Sequence, residues 1–207
     1  MIAIVDYGLG NLASVLNMLR RVGGDAMVTS SPAAIRSASK LILPGVGAFD
    51  AGMRNIRTRG LESILQEMAL ERRVPVLGVC LGMQLLSHFS SEGIEPGLGW
   101  LDAHTLKIEP DSAFPQLRLP HMGWNRVQVV NPAHPLLADS APPEPRYYFA
   151  HSYHVVCRDP GDIVATVTHG AVMTAIVGKG NIMGTQFHPE KSHRFGMALL
   201  ANFVART

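Results

Sequence analysis

The sequence predicts an α/β fold, a central and mostly parallel sheet flanked by helices and extended by antiparallel strands. Three observations predict it. Strand and helix signals alternate through the first half of the chain, the rhythm of parallel βαβ units. After about residue 98 the pattern changes to β-rich segments separated by Pro-rich turns. The composition, 47% hydrophobic and only 16% charged against the roughly 25% of an average soluble protein, supplies enough apolar side chain for a large buried sheet. At 207 residues the chain is expected to form one domain, residues 1–207.

The elements follow in order. MIAIVDY reads as the first strand and NLASVLNMLRRVG as a helix, with Asn11 placed to cap it and Gly23-Gly24 to stop it. DAMVTS is a strand, PAAIRSA a short helix, LILPG a strand and LESILQEMALERR a helix. VPVLGVC is the next strand and runs straight into a helical sequence, GMQLL. Beyond it GWLDAHTLKI, HMGWNRVQVV, YYFAHSYHVVC, IVATVTHG, AVMTAIVGKG and NIMGTQFHP are predicted strands of the same sheet, with a closing helix after Pro189. APPEPR, residues 141–146, reads as a surface turn or short polyproline linker. The sequence has no internal repeat and no low-complexity tract.

Several function classes are disfavoured. The formal net charge is +2, and the densest basic spots are the pairs Arg20-Arg21 and Arg72-Arg73, so nothing resembles a nucleic-acid footprint. No apolar run approaches the ~18 to 20 residues of a membrane helix, and the N-terminus turns polar too early for a signal peptide. A cytoplasmic location is expected. Cys80 and Cys157 lie far apart and give no framework of bridges, which suits a reducing compartment. Cys157, ending the apolar HVVC, reads as a small core residue.

Cys80 is the residue that calls for chemistry. Gly78-Val79-Cys80-Leu81-Gly82 has the form of a nucleophile elbow, with small residues letting the chain turn sharply from strand to helix and lifting the thiol to the apex. The helix N-terminus then places unpaired N–H groups near the sulfur, which favour a thiolate and can hold an oxyanion. A base is available in Gln186-Phe187-His188-Pro189-Glu190: in an extended segment His188 and Glu190 share one face, so the carboxylate can orient the imidazole. Pro44-Gly45-Val46-Gly47-Ala48-Phe49 follows a strand, and its glycines free the backbone to aim an N–H into a cleft at the carboxyl end of the sheet. Judged singly, each motif has a plain alternative: a buried packing cysteine, a surface turn, a Pro-Gly turn. H-x-E also occurs in zinc deaminases, but the required P-C-x-x-C is missing. His151 and His154, three apart on one predicted strand, would point to opposite faces, so neither a metal nor a cofactor is expected.

Taken together, GVCLGMQLL, LPGVGAF and QFHPEKS resemble the class I, triad-type glutamine amidotransferases, which release ammonia from the side-chain amide of glutamine. The resemblance implies a flavodoxin-like fold. DYGLGNL, PHMGWN and YFAHSY are similar to segments of the glutaminase subunits of imidazole glycerol phosphate synthases. GLGN lacks the third glycine of a dinucleotide fingerprint and no acidic residue ends the second strand, so nucleotide binding is disfavoured.

Carried over residue by residue, the resemblance implies Cys80 as nucleophile, His188 as general acid and base and Glu190 as its orienting partner. The N–H of Leu81, with one from Val46 or Gly47, would hold the oxyanion; Gln84 and the backbone of Ser152 and Tyr153 would hold the α-amino and α-carboxylate groups of glutamine. Asn11, in the DYGLGN turn, and Tyr148 would face a partner, a separate cyclase subunit that receives the ammonia in a heterodimer. A (β/α)₈ cyclase needs about 250 residues of its own, so the acceptor chemistry is expected on another polypeptide. His154 and His193 depart from the family pattern. Alternatives are a paralogous glutaminase serving another synthase, a catalytically silent binding subunit, and a thiol hydrolase that works alone.

Overall fold

The computed structural model describes residues 1–109, 117–138 and 144–207. Its frame is set by strands that are apolar on both faces. β1 (Ile2–Val5), β3 (Lys40–Gly45), β4 (Val76–Cys80) and the late strand β11 (Ile182–Thr185) are buried at nearly every residue, whereas β2 (Ala26–Thr29), at the edge, is exposed at its centre. Continuous burial of this kind is what a parallel sheet covered by helices requires. These five strands run parallel in the order β2-β1-β3-β4-β11.

Alternate side chains build two cores. Ile2, Ile4, Ile42 and Leu77 pack on one face with Val15 and Leu19 of α1 (Leu12–Arg21) and Leu199 and Phe203 of α6 (His193–Arg206). Ala3, Val5, Leu41 and Leu43 pack on the other with Ile35 of α2 (Pro32–Arg36), Ile56 of α3 (Phe49–Thr58), Ile64 of α4 (Glu62–Gln66) and Leu85 of α5 (Leu81–Leu85). α3 was not expected from the sequence. Its buried residues, Phe49, Gly52, Met53 and Ile56, follow helical spacing, but a glycine stands at one of the four, where a Cβ would come within 3.1 Å of Leu85. The predicted helix LESILQEMALERR is α4 continued by a π-helical turn, Glu67–Glu71.

The remaining strands are β5 (Ala103–Lys107), β6 (His121–Val129), β7 (Arg146–His151), β8 (Tyr153–Cys157), β9 (Ile163–His169) and β10 (Ala171–Lys179). β10, β9, β6 and β7 extend the sheet beyond β11 by antiparallel pairing to give nine strands among the described residues. The expectation of a single sheet is corrected in one respect. YYFAHSYHVVC is two strands broken at Ser152: β7 ends the large sheet, while β8 leaves it and pairs with β5 in a separate two-stranded ribbon, Tyr153 opposite Lys107. Alternation of side chains cannot reveal that break, because pairing partners are chosen in three dimensions. The expected turn at residues 141–146 falls partly outside the described residues; Arg146 already belongs to β7. Among the described residues no helix is long and apolar enough to cross a membrane.

Candidate active site

The carboxyl ends of β3, β4 and β11 lie side by side, and each delivers one part of a site. β4 ends on Cys80, whose backbone takes φ 53° and ψ −109°, outside the regions an L residue prefers and costing on the order of 1–3 kcal/mol. The flanking glycines do not take the strained turn; they make room for it. A Cβ on Gly78 would lie 2.6 Å from the Gly82 carbonyl oxygen, and one on Gly82 would lie 1.7 Å from that of Leu43. The elbow is thus wedged, backbone against backbone, onto β3.

β3 brings Gly45, where a Cβ would meet the Tyr7 hydroxyl at 2.5 Å, and the loop Val46-Gly47, with Gly47 at φ 128°. The buried Tyr7 hydroxyl donates to the Pro44 carbonyl at 2.5 Å, and burial, with the negative charge of Cys80 nearby, pushes its pKa up, so it stays a neutral donor. In the sequence Tyr7 stood within DYGLGNL without a role of its own.

From the end of β11 the chain runs through Gln186 to His188 and Glu190. His188 Nδ1 lies 2.9 Å from Glu190 Oε1, with the two side chains 3% and 2% exposed. The geometry corrects the expected one: residues Pro189–Lys191 form a 3-10 turn, and the pair meets across its start rather than along an extended strand. The segment is tied down by backbone. His188 N donates to Tyr148 O at 2.9 Å, Tyr148 N to Ser192 Oγ at 3.0 Å, and Ser192 Oγ to His188 O at 2.6 Å. Burial by itself would lower the His188 pKa, but hydrogen bonds with the Cys80 and Glu190 side chains, together with their negative charges, outweigh it and hold it up to about 10. The imidazolium is therefore the form the site favours, with the sulfur on one side and a carboxylate on the other.

Next to the sulfur is a cavity of about 210 Å³. Val46, Gly47 and Leu81 line it with Cys80, and so do Gln84, Ser152 and Tyr153. Gln84, on α5, is buried; its Nε2 donates to Tyr153 O at 3.0 Å and to Gln186 Oε1 at 3.3 Å. Gln186 Nε2 in turn lies 3.8 Å from Cys80 Sγ, closing a chain from the cavity wall to the thiol. Glu92 also lines the cavity, its Oε2 accepting from Phe49 N at the start of α3 at 2.8 Å. Its loop is pinned by Asp50, whose carboxylate accepts from Ile94 N and Glu95 N and is lowered in pKa chiefly by the latter. Gln186 stood within a motif that drew attention to its neighbours, whereas Glu92 sits in a loop, SSEGIEPG, with no periodic signal at all.

The two residues expected to face a partner lie outside the cavity. Tyr148 is half-buried on the edge strand β7, with Lys191 Nζ 5.8 Å from its ring centroid. Asn11 is exposed at the start of α1 but makes no side-chain cap, because its backbone (φ −93°, ψ 67°) is not the extended conformation from which a cap reaches the first-turn amides. His193 stacks on Trp124 at 5.5 Å, and His154 lines a different cavity with Lys107 and Met173. His151 and His154 lie on different strands, so the single-strand argument about their faces does not apply; among the described residues no cluster of three His, Cys, Asp or Glu could hold a metal ion.

Comparison with known proteins places the chain among relatives. Residues 3–207 match the family glutamine amidotransferase class-I. The chain is 50% identical over 204 residues to imidazole glycerol phosphate synthase subunit HisH 2 of Pseudomonas aeruginosa, covering 99% of this chain and 98% of that protein. It is 47% identical over 206 residues to the protein of the same name from Methanococcus maripaludis, with the same coverage. Among solved structures, PurLQS of Thermotoga maritima superposes with a TM-score of 0.74 at 19% identity, over 97% of this chain and 95% of that one. The glutaminase domain of CTPS from Trypanosoma brucei gives 0.64 at 16% identity, over 97% and 92%.

Proposed function

Because the chain belongs to the class-I glutamine amidotransferases, we propose that it is the glutaminase subunit of an imidazole glycerol phosphate synthase, releasing ammonia from glutamine for a separate cyclase subunit in histidine biosynthesis. The observation that carries the reading is the line of Cys80, His188 and Glu190 beside a cavity walled by Gln84, Glu92 and the Ser152–Tyr153 backbone.

The thiolate of Cys80 attacks the carboxamide carbon of glutamine, and the displaced electrons gather on the carbonyl oxygen, where N–H groups of Leu81 and of Val46 or Gly47 receive them. Collapse of the tetrahedral species expels the amide nitrogen, which takes the proton from His188 Nε2 and leaves as ammonia. A γ-glutamyl thioester remains on Cys80. His188, now neutral, removes a proton from water as its oxygen attacks the thioester, and a second collapse releases glutamate and restores the ion pair. Glu190, bonded to Nδ1, keeps the imidazole in the tautomer whose Nε2 faces the sulfur. Both N–H groups of the Gln84 amide are engaged within the protein, so its carbonyl oxygen, with the Glu92 carboxylate, is what would accept from the α-ammonium group. The α-carboxylate falls to the backbone of Ser152 and Tyr153.

The docking face for the cyclase is the edge of the sheet around Tyr148, where Met122 and Trp124 are 64% and 47% exposed. Asn11 is assigned to the same role. The test is reconstitution with the cyclase. Cys80→Ala should abolish product formation from glutamine yet leave formation from added ammonium salts; loss of both would contradict the division of labour. Glutamine hydrolysis should rise on cyclase docking by about 10²- to 10³-fold if the Val46–Gly47 loop completes the oxyanion site only then. Equal rates with and without cyclase reject that switch.

A further inference from the structure

We infer that His121 is a positioning residue for glutamine binding: through His151 it holds the Tyr153 carbonyl, and with it the Ser152–Tyr153 backbone at the wall of the Cys80 cavity. The inference rests on the glutaminase reading of that cavity.

His121 on β6 and His151 on β7 are directly opposite in the antiparallel register, and both are buried. His121 Nδ1 lies 3.0 Å from His151 Nε2, and His151 Nδ1 lies 2.8 Å from Tyr153 O. At the other end Asn125 Nδ2 lies 3.1 Å from His121 Nε2 and donates to Thr168 O at 2.9 Å, while Asn125 Oδ1 accepts from Arg126 N at 2.8 Å. The direction of every bond is then fixed. A carbonyl only accepts, so His151 Nδ1 carries a proton. Burial pushes His151 down to about 3 and His121 down to about 4, with the stacked His169 ring adding to the effect on His121, so both rings are neutral at neutral pH. His151 Nε2 is therefore a bare acceptor, His121 Nδ1 must donate to it, and His121 Nε2 accepts from Asn125. Both rings are held as the Nδ1–H tautomer, the one disfavoured in water.

The position of this chain gives it a task. Ser152 is the joint at which the strand leaves the nine-stranded sheet for the β5–β8 ribbon, so regular pairing does not continue through it. Instead the Tyr153 carbonyl is gripped by two side-chain donors, His151 Nδ1 from β7 and Gln84 Nε2 at 3.0 Å from α5. Removing the His121 donor leaves His151 Nε2 buried without a partner, and the ring regains it only by turning away from Tyr153.

Two measurements test this. In ¹⁵N-resolved imidazole spectra of the full chain at neutral pH, His121 and His151 should each show a protonated Nδ1 and a bare Nε2; an Nε2–H or doubly protonated ring at either residue would overturn the inference, whatever the substrate. In the reconstituted complex, His121→Leu should raise the KM for glutamine about tenfold with kcat nearly unchanged, and His121→Asn, whose Nδ2 stands where the imidazole Nδ1 stood, should recover most of the loss. An unchanged KM in the leucine variant, or an asparagine variant no better than leucine, would also overturn it. If the unmodified complex does not hydrolyse glutamine, the glutaminase reading fails while the spectra still decide the direction of the chain.

Discussion

The nucleophile and its base are held in place by different means. Cys80 stands at a bend fixed by hard contact: Gly78 against the Gly82 carbonyl, Gly82 against that of Leu43, Gly45 against Tyr7 and Leu81. His188 is held by hydrogen bonds through Tyr148, Ser192 and Glu190. Contact of the first kind cannot relax by a few tenths of an ångström, and bonds of the second kind can be lost singly, at about 1 kcal/mol each. The parallel strands thus fix where the sulfur is by hard contact and deliver the base from the end of β11, and adjustable polar contacts with β7 of the antiparallel half hold the segment that carries that base.

Substitutions should separate the two regions. The largest effect on catalysis is expected from His188→Ala, which should lower glutamine turnover in the complex by about 10⁴-fold or more, measured by steady-state kinetics. Glu190→Gln should cost about 10³-fold and also pull the His188 pKa down from about 10. The sign follows from the raised value. Stabilisation from the charged imidazole is complete below its ordinary range near ~6.5 and fades as pH rises through about 10 in the native protein, and in the variant it should fade at lower pH. Chemical-shift titration of His188 reads this directly, and an unmoved titration would mean that Glu190 does not act on the ring.

Gly82→Ala should act the other way round, destabilising the fold by about 3 kcal/mol because the new methyl meets backbone and not a mobile side chain. A melting temperature equal to that of the unmodified chain would remove the hard-contact half of the comparison. The smallest effect is expected from Ser192→Ala, about 1–2 kcal/mol of stability with a fewfold loss of turnover, since the two bonds its hydroxyl makes, from Tyr148 N and to His188 O, are deleted.

What was legible in the sequence follows the same division. The elbow and the base motif are local strings, and the order GVCLG, then QFHPE, points to Cys80, His188 and Glu190 without any three-dimensional information. The parallel strands were legible because burial on both faces leaves continuous apolar runs. Other features depend on distances that no string encodes. Gln186 gains its place from Gln84 and Cys80, and Glu92 from the start of α3. The break at Ser152 and the pairing of β5 with β8 depend on which strands meet, and the His121–His151 bond on a register between strands some 30 residues apart in sequence. α3 was obscured for a local reason, a glycine at a core position of a short helix.

Whether Cys80 and His188 form one reaction centre can be decided by peptide mass spectrometry of the assembled complex after treatment with an electrophilic glutamine analogue. A single adduct on Cys80, lost in His188→Ala, is the predicted result; an unlabelled Cys80, or labelling that persists without the histidine, would contradict the assignment of these two residues to the same chemistry.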